Sequence, residues 1–527
     1  MKYTKRILAL ALSLVMALGM LSGCGEEGEE APLRVSLPSG VETLDPAYIQ
    51  TETERIVVSH LYENLMKVTG VDENGVAQAS NALVRSYQME EDLEGRQTYT
   101  FKLRDDVTWS DGKTVTADDF VYAWRRLADP DSKSPNAAVL NMLEGYRKVR
   151  SSGDVRKLGV EALDEDTLEV RLAHRCPYFI NEVCAAPATM PVRRDAVKQE
   201  GWSMASETLV TNGPYNQVKS WSGDGFSVAA NEDYYDYKRL GFTTLEFLFY
   251  EDETADFRME LPDEVISTLP ETWKADAYPR TTAVVINQLS QSLRNKDLRL
   301  AMAMVIDRTA ITELLGPVRF RPAEGLVPYG MRASAGGDFR AVAGPVLDNG
   351  PENYELKCEK ARELVADKKL PVIKLSYPAV TTLETVALEL QRVWGEKLGL
   401  QVTLVPMGVQ EMRQALLKGD FSVALAPLET DRGDASGMLD NWRSGARKNF
   451  ANIHYSAYDL LMRISDDSDS TEARDAYLAD AEQMLLESGY VRPVYHGTQT
   501  ALLRDGLTGL VYDGLGVYHL GGVIKVK

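Results

Sequence analysis

Ser110 and Lys113 give the chain its clearest spacing for covalent chemistry, because an amine three residues away can take a serine proton. Acylating enzymes built on Ser-x-x-Lys also carry SDN-like and KTG-like triplets, and neither occurs here. Asp111-Gly112 between them reads as a tight turn, whereas a nucleophile of that kind opens a helix. Five histidines, His60, His174, His454, His496 and His519, show no paired metal-ligand spacing. HExxH, CxxC, a phosphate-binding loop and GxSxG are all absent. With 78 acidic side chains, neighbouring carboxylates describe a solvated surface rather than an acid–base pair. The residues therefore predict no catalytic group, no metal and no cofactor.

The elements that would carry a binding site change rhythm along the chain. Leu33 to Leu37 alternates as a strand and Arg55 to Met66 has helical spacing. Gln97 to Leu103 alternates again, and Thr116 opens a helix running to about Leu127, stopped by Asp129-Pro130. Two short strands are expected between Leu158 and Leu172, and further strands at Leu245 to Tyr250 and Thr282 to Asn287. A helix at Asp297 to Leu315 and one at Tyr354 to Ala366 follow. Val372 to Ser376, Gln401 to Val405 and Phe421 to Ala426 then read as strands separated by helices at Thr385 to Lys397 and Gln410 to Lys418. That alternation predicts an α/β second half with a largely parallel sheet after a β-rich first half. Arg504 to Lys527 returns to strand and turn patterning and is expected to fold back onto the first half.

Lys2, Lys5 and Arg6 precede an uncharged run from Ile7 to Leu21, too short to span a bilayer and ordered as a secretory signal. Leu21-Ser22-Gly23-Cys24 closes it and resembles a bacterial lipobox. The resemblance implies lipid on the Cys24 thiol and a mature chain beginning there, held at the extracytoplasmic face of the cell membrane. Residues 1–23 would be the signal and 24–32 a charged tether. Loss of Lys2, Lys5 and Arg6 takes the net charge from −20 to −23, which argues against a phosphate backbone, and so nucleic acid, as partner. The chain's 527 residues predict two or three subdomains. Cys176, Cys184 and Cys358 are too few for a disulfide scaffold; Cys176 and Cys184 are either bridged or buried thiols.

Several blocks together resemble the extracytoplasmic solute-binding proteins of peptide ABC importers, the oligopeptide/dipeptide-binding family. They are Leu44-Asp45-Pro46-Ala47, Leu61 to Leu65, Tyr99 to Lys113 with Val115 to Trp124, Thr211-Asn212-Gly213-Pro214-Tyr215, Asp297 to Arg308, Ala361 to Val365, Leu390 to Trp394 and Arg492 to Tyr495. The resemblance implies an α/β, two-lobed periplasmic-binding-protein-like fold of type II with an extra subdomain, its lobes joined by a two-strand hinge. Lobe I would comprise 33–67, 195–279 and 498–527, the extra subdomain 68–194, and lobe II 280–497. Function would be capture of a peptide between the lobes and delivery to the permease subunits of a membrane transporter, the binding protein acting as a monomer.

Carried over by position, the amine-anchoring acid of the family falls at Asp431, after the strand ending near Ala426, with Asp434 as the alternative counterpart and Glu429 as a neighbour in the same loop. Gln50, Thr51 and Glu52, and Asn212 and Gly213, are expected to line the cleft. An Arg that grips a peptide carboxylate in some family members is replaced by Leu425, and Leu261-Pro262-Asp263-Glu264-Val265 stands where a glycine turn is usual. These departures leave a second reading open, the same fold holding a metal chelate, an opine or a sugar. Trp109 and Trp124 are expected in the core.

Overall fold

The computed structural model describes residues 31–71, 77–266, 268–269, 276–317, 319–430, 432–468, 470–513 and 516–526. Two six-stranded sheets and one four-stranded sheet organise the chain. In the first sheet Leu33–Ser36 lies parallel to both Thr244–Leu248 and Phe257–Met259, and the hairpin of Tyr215–Trp221 with Gly225–Ala230 extends one edge. The other edge is Ala501–Leu503 from the far end of the chain, antiparallel to Phe257–Met259. This strand precedes the span expected to fold back, Arg504 to Lys527, whose own return is fastened by Gly241 N–H donating to the Gly521 carbonyl at 2.9 Å. It is reinforced by Tyr518 packing on Phe257 with ring centroids 5.1 Å apart.

The four-stranded sheet (Val84–Glu91, Gln97–Leu103, Thr167–Arg171, Val160–Ala162) is antiparallel and shares a core with the first sheet. Helix Ala117–Ala128 covers it, started where Thr116 N–H donates to the Asp119 carboxylate at 3.0 Å. Trp109 and Trp124 are buried there, their indole N–H groups donating to Asp119 at 3.2 Å and to the Thr189 carbonyl at 2.7 Å. Asp45 ties this unit to the opening of the chain: it accepts from Ala47 N–H at 3.1 Å and from Arg126 at 2.9 Å. That explains the Leu44-Asp45-Pro46-Ala47 block as a fastening.

The second six-stranded sheet corrects the expectation of largely parallel pairing. Ile373–Pro378 is parallel to Val402–Met407 and to Val423–Glu429. The long strand Asp276–Ile286, however, runs antiparallel to both Val423–Glu429 and Val491–Gln499. The reason is topological, since the chain enters this lobe along one of these strands and leaves along the other. Side chains alternate between two cores as strand geometry requires. Val284, Ile286, Val423 and Leu425 pack on one face, and Ala283, Val285, Ala424 and Ala426 on the other.

The segment expected as one helix from Asp297 is two, Lys296–Met304 and Arg308–Leu315. Asp307 breaks it by capping the second, accepting from Ala310 N–H at 3.0 Å. Arg308 then reaches the Pro493 carbonyl at 2.7 Å, so two sequence blocks far apart in the chain meet inside lobe II. Cys176, Cys184 and Cys358 are buried thiols without a disulfide.

The lobes are joined where the outgoing and returning chains run side by side. Glu260 N–H donates to the Thr500 carbonyl at 2.9 Å and Leu261 N–H to Thr500 Oγ1 at 2.8 Å. Glu260 holds a left-handed backbone with φ of 53°, which costs a non-glycine residue about 1 kcal/mol or more. Short helix Asp263–Ile266 follows Pro262, so the departure at Leu261 to Val265 is accommodated. No helix among the described residues is long and apolar enough to cross a membrane.

Candidate functional site

A cavity of about 590 Å³ lies between the lobes, within the usual range for a bound solute. The first lobe contributes Gln50 to Thr53 and Arg55, where helix Glu52–Leu61 begins. Thr51 caps that helix, accepting from Glu54 N–H at 3.1 Å, and the Glu54 carboxylate answers the Thr51 N–H at 3.0 Å. The cap fixes which side chains of this turn face the opposite lobe. From that lobe come Arg280 within strand Asp276–Ile286, Pro427 to Glu429 at the end of the neighbouring strand, and Met412, Arg413 and Leu416 from helix Val409–Lys418. Glu260 of the crossing closes one end and Trp442 supplies apolar wall.

Charge is arranged across this cavity in a line. Arg280 donates to Glu429 at 3.1 Å, its register partner in the sheet, and also to Glu52 of the other lobe. A cation between two carboxylates is stabilised where water is sparse. Burial pushes the nearby Glu260 carboxyl up from its ordinary value, with Arg280 opposing. Arg413 donates to Gln50, and Gln410 Nε2 to Glu42 at 3.0 Å, so helix Val409–Lys418 also spans the gap.

A second bridge joins lobe II to the unit built on the four-stranded sheet. Arg332 meets the Glu182 carboxylate at 3.1 Å, and Asp434 N–H donates to the same carboxylate at 3.1 Å. Arg432 donates to Asn141 at 3.1 Å and to the Tyr178 hydroxyl at 3.3 Å, and Asn141 in turn to Asp440 at 3.0 Å. Burial raises the Glu182 carboxyl, against the pull of Arg332. The lobes are closed on each other.

The structure separates the residues expected at the site. Gln50, Thr51, Glu52 and Glu429 line the cavity. Asp434 does not: it is 0% exposed and held by Arg474 through bonds of 2.8 and 3.0 Å. Burial alone would raise its carboxyl, but Arg474 and Arg332 outweigh it and hold it at about 2. Asn212 is used internally, accepting from Glu63 N–H at 3.1 Å and donating to the Glu63 carbonyl at 3.2 Å. Gly213 lies so close to the end of helix Glu52–Leu61 that a Cβ would come within 2.6 Å of the Leu61 carbonyl. The Thr211 to Tyr215 block therefore fastens the helix and does not border the cavity. Asp431 and Cys24 lie outside the described residues. Lys113 pairs with Asp195 at 3.0 Å and Ser110 Oγ accepts from Thr211 N–H at 3.3 Å, in a turn where Gly112 N–H returns to the Trp109 carbonyl. Neither group is arranged to activate the other.

Sequence reasoning missed Arg280, Arg413, Glu182 and Arg332. Arg280 carried one signal, a cation three residues ahead of the apolar run Ala283 to Ile286. The others depend on pairings more than a hundred residues apart, which no local pattern announces.

The profile of the bacterial extracellular solute-binding proteins, family 5 Middle, matches residues 78–450. The chain is 24% identical to the Dipeptide-binding protein DppE of Bacillus subtilis, over 99% of both chains. It is 27% identical to a Dipeptide-binding protein of Lactococcus lactis, over 98% of both. Among solved structures, the murein tripeptide binding protein MppA of Escherichia coli superposes with a TM-score of 0.82 at 24% identity, covering 95% of this chain and 99% of that one. The unliganded open form of MppA gives 0.67 at 24% identity, over 95% of this chain and 98% of that one. The chain belongs to family 5 of the bacterial extracellular solute-binding proteins.

Proposed function

We propose that this protein captures peptides in the cavity between its lobes and hands them to the permease of an ABC importer, without altering them. The observation that carries this reading is the cavity itself, where Arg280 between Glu52 and Glu429 offers both signs of charge beside apolar wall from Met412, Leu416 and Trp442. Such a lining suits a short zwitterionic chain with variable side chains, and water can fill what a small side chain leaves empty. The names of the relatives, dipeptide and murein tripeptide binding proteins, support the same ligand class.

In this reading Asp431 anchors the peptide ammonium, and Gln50, Thr51, Glu52 and Glu429 border the bound backbone. Asp434, Asn212 and Gly213 act at one remove, holding the loops in place. Cys24 carries lipid at the extracytoplasmic membrane face, residues 33–67, 195–279 and 498–527 form lobe I with 68–194 as its extra subdomain, and 280–497 form lobe II. The crossing at Glu260 and Thr500 is the hinge. The apolar part of the lining favours a second reading, in which a compact non-peptide solute fills the same space.

Native mass spectrometry of protein purified without refolding identifies the occupant directly. Titration calorimetry of the stripped protein with a mixed tetrapeptide pool is expected to show binding that Asp431→Ala weakens at least tenfold. No heat from the pool, with a non-peptide mass in the cavity, would replace the first reading by the second.

A further inference from the structure

A second chamber of about 490 Å³ adjoins the main cavity, and Pro135, Asn441, Arg447 and Lys448 border both. Its walls come from opposite sides of the cleft: residues 134–151 with His174 on one, and Thr430 with residues 432–448 and Asp466 on the other. It therefore exists as a concave space only while the lobes are together. Among the described residues its lining carries six cationic side chains, Arg147, Arg150, Arg432, Arg443, Arg447 and Lys448, against two carboxylates, Asp440 and Asp466. This is opposite to the chain as a whole, whose net charge is −20.

Both carboxylates are already engaged. Asp440 accepts from Arg432 and, at 2.5 Å, from Arg443. Asp466 accepts from Arg443 at 2.8 Å through both oxygens and has Arg147 at 3.6 Å. Arg432 and Arg443 are thereby fixed in position, while Arg150 gives one N–H to the Ala128 carbonyl at 3.1 Å and Arg447 one to the Lys133 carbonyl. Carbonyls orient these guanidinium groups without neutralising them. Arg147 and Arg447 are exposed and Arg150 is half-buried, and a concave space with such an excess of positive charge concentrates anions.

We infer that this chamber is the subsite for an anionic group of the same elongated solute that occupies the main cavity. A carboxylate is the chemistry it fits, carried by an acidic side chain of the bound peptide. This makes the protein selective for acidic peptides, which goes beyond the peptide reading and rests on it for the identity of the ligand. The absence of an Arg at Leu425 is consistent, since the anion would be gripped here and not from that strand.

The test compares two tetrapeptide libraries, one rich in Asp and Glu and one in Asn and Gln, each with free and amidated C-termini. They are titrated into stripped wild-type protein and into an R147Q/R150Q variant, whose changes lie at exposed and half-buried positions bordering only the second chamber. Wild type is expected to prefer the acidic library at least tenfold, and the variant to lose most of that ratio. The preference is expected to persist in the amidated libraries; a preference for free over amidated ends with no acidic preference would assign the anion to the peptide terminus and overturn selectivity for acidic side chains. In parallel, glutarate and inorganic phosphate are titrated while the melting temperature is followed. Stabilisation of wild type but not of the variant upholds the anion subsite even if no peptide binds, in which case only the peptide reading falls. Peptide binding with an acidic-to-neutral ratio near one, and no response to either anion, overturns this inference and leaves the peptide reading standing.

Discussion

Glu182 and Arg332 meet at 3.1 Å across the cleft with side chains only 2% and 12% exposed, so the closed form carries an ion pair of its own. Salt screens such a pair weakly. Its charge must be rehydrated when the lobes part, and the bond to Asp434 N–H is lost with it. Glu182→Gln keeps the shape and an acceptor but removes the charge. We expect the closed fraction to fall roughly tenfold, corresponding to about 1.4 kcal/mol. Distances between spin labels on the two lobes would report it, and an unchanged distribution would show that this pair does not bias closure.

Arg280 sits between carboxylates from both lobes, Glu52 and Glu429. Arg280→Met leaves those carboxylates facing each other without a cation, and like charges at short range repel. Ligand affinity is expected to fall about tenfold to a hundredfold, and to recover partly as the pH is lowered toward the carboxylate range. Calorimetry at two pH values checks both halves. An affinity independent of this substitution would remove Arg280 from the binding surface.

His60 joins the cavity-bordering helix to the chain's end. Its Nδ1 lies 2.7 Å from the Ile56 carbonyl and its Nε2 accepts the Leu520 N–H at 2.8 Å, which fixes the neutral tautomer. Burial pushes its pKa down to about 4, and that of His519 to about 3. Between these values and 6.5 the unfolded chain binds protons that the folded one refuses, so stability falls as pH falls. The contribution of His60 is complete above pH 6.5 and lost progressively toward pH 4, on the order of 3 kcal/mol. Melting temperatures should be level near neutrality and decline below about pH 6.5, with a shallower decline in His60→Gln. Equal slopes in both proteins would contradict the assignment.

Lobe II is organised around another buried pair. Glu482 accepts from Leu326 N–H at 2.7 Å, Val327 N–H at 2.8 Å and Arg340 at 2.5 Å, with both side chains of the ion pair 0% exposed. A Cβ on Gly325 would come within 2.4 Å of Arg340 and 2.6 Å of Glu482, so the glycine is required by this approach. Glu482→Ala strands a buried guanidinium and two N–H groups and should cost about 3–5 kcal/mol. Arg392→Ala, at an exposed pair with Glu389, should cost less than about 1 kcal/mol. Chemical denaturation of the two variants measures the contrast, and similar losses would refute it.

Much of the fold was legible because its signals are local. Thr116 ahead of two acids, Asp129-Pro130 at a helix end, and alternation from Gln97 to Leu103 each have a short-range cause, and each falls where expected. Asp307 falls inside the helix expected at Asp297 to Leu315 because the apolar spacing continues through it, and its capping role emerges only in the structure. The sheet directions were not legible, since parallel and antiparallel strands share one pattern when both faces are buried. The cleft residues Gln50, Thr51 and Glu52 were reached through resemblance by position. The same route put Asn212 at the cleft, where only its pairing with Glu63 explains its type. Asp434 had the right chemistry in the wrong company, because Arg474 lies forty residues away.

Closure of two lobes on a bound peptide is the central claim, and small-angle X-ray scattering of stripped protein tests it most directly. With the lobes free to part at Glu260 and Thr500, the radius of gyration should be larger without ligand and fall on saturation with the tetrapeptide pool. A radius that stays constant through a titration in which calorimetry records binding would contradict a cleft that closes on its ligand.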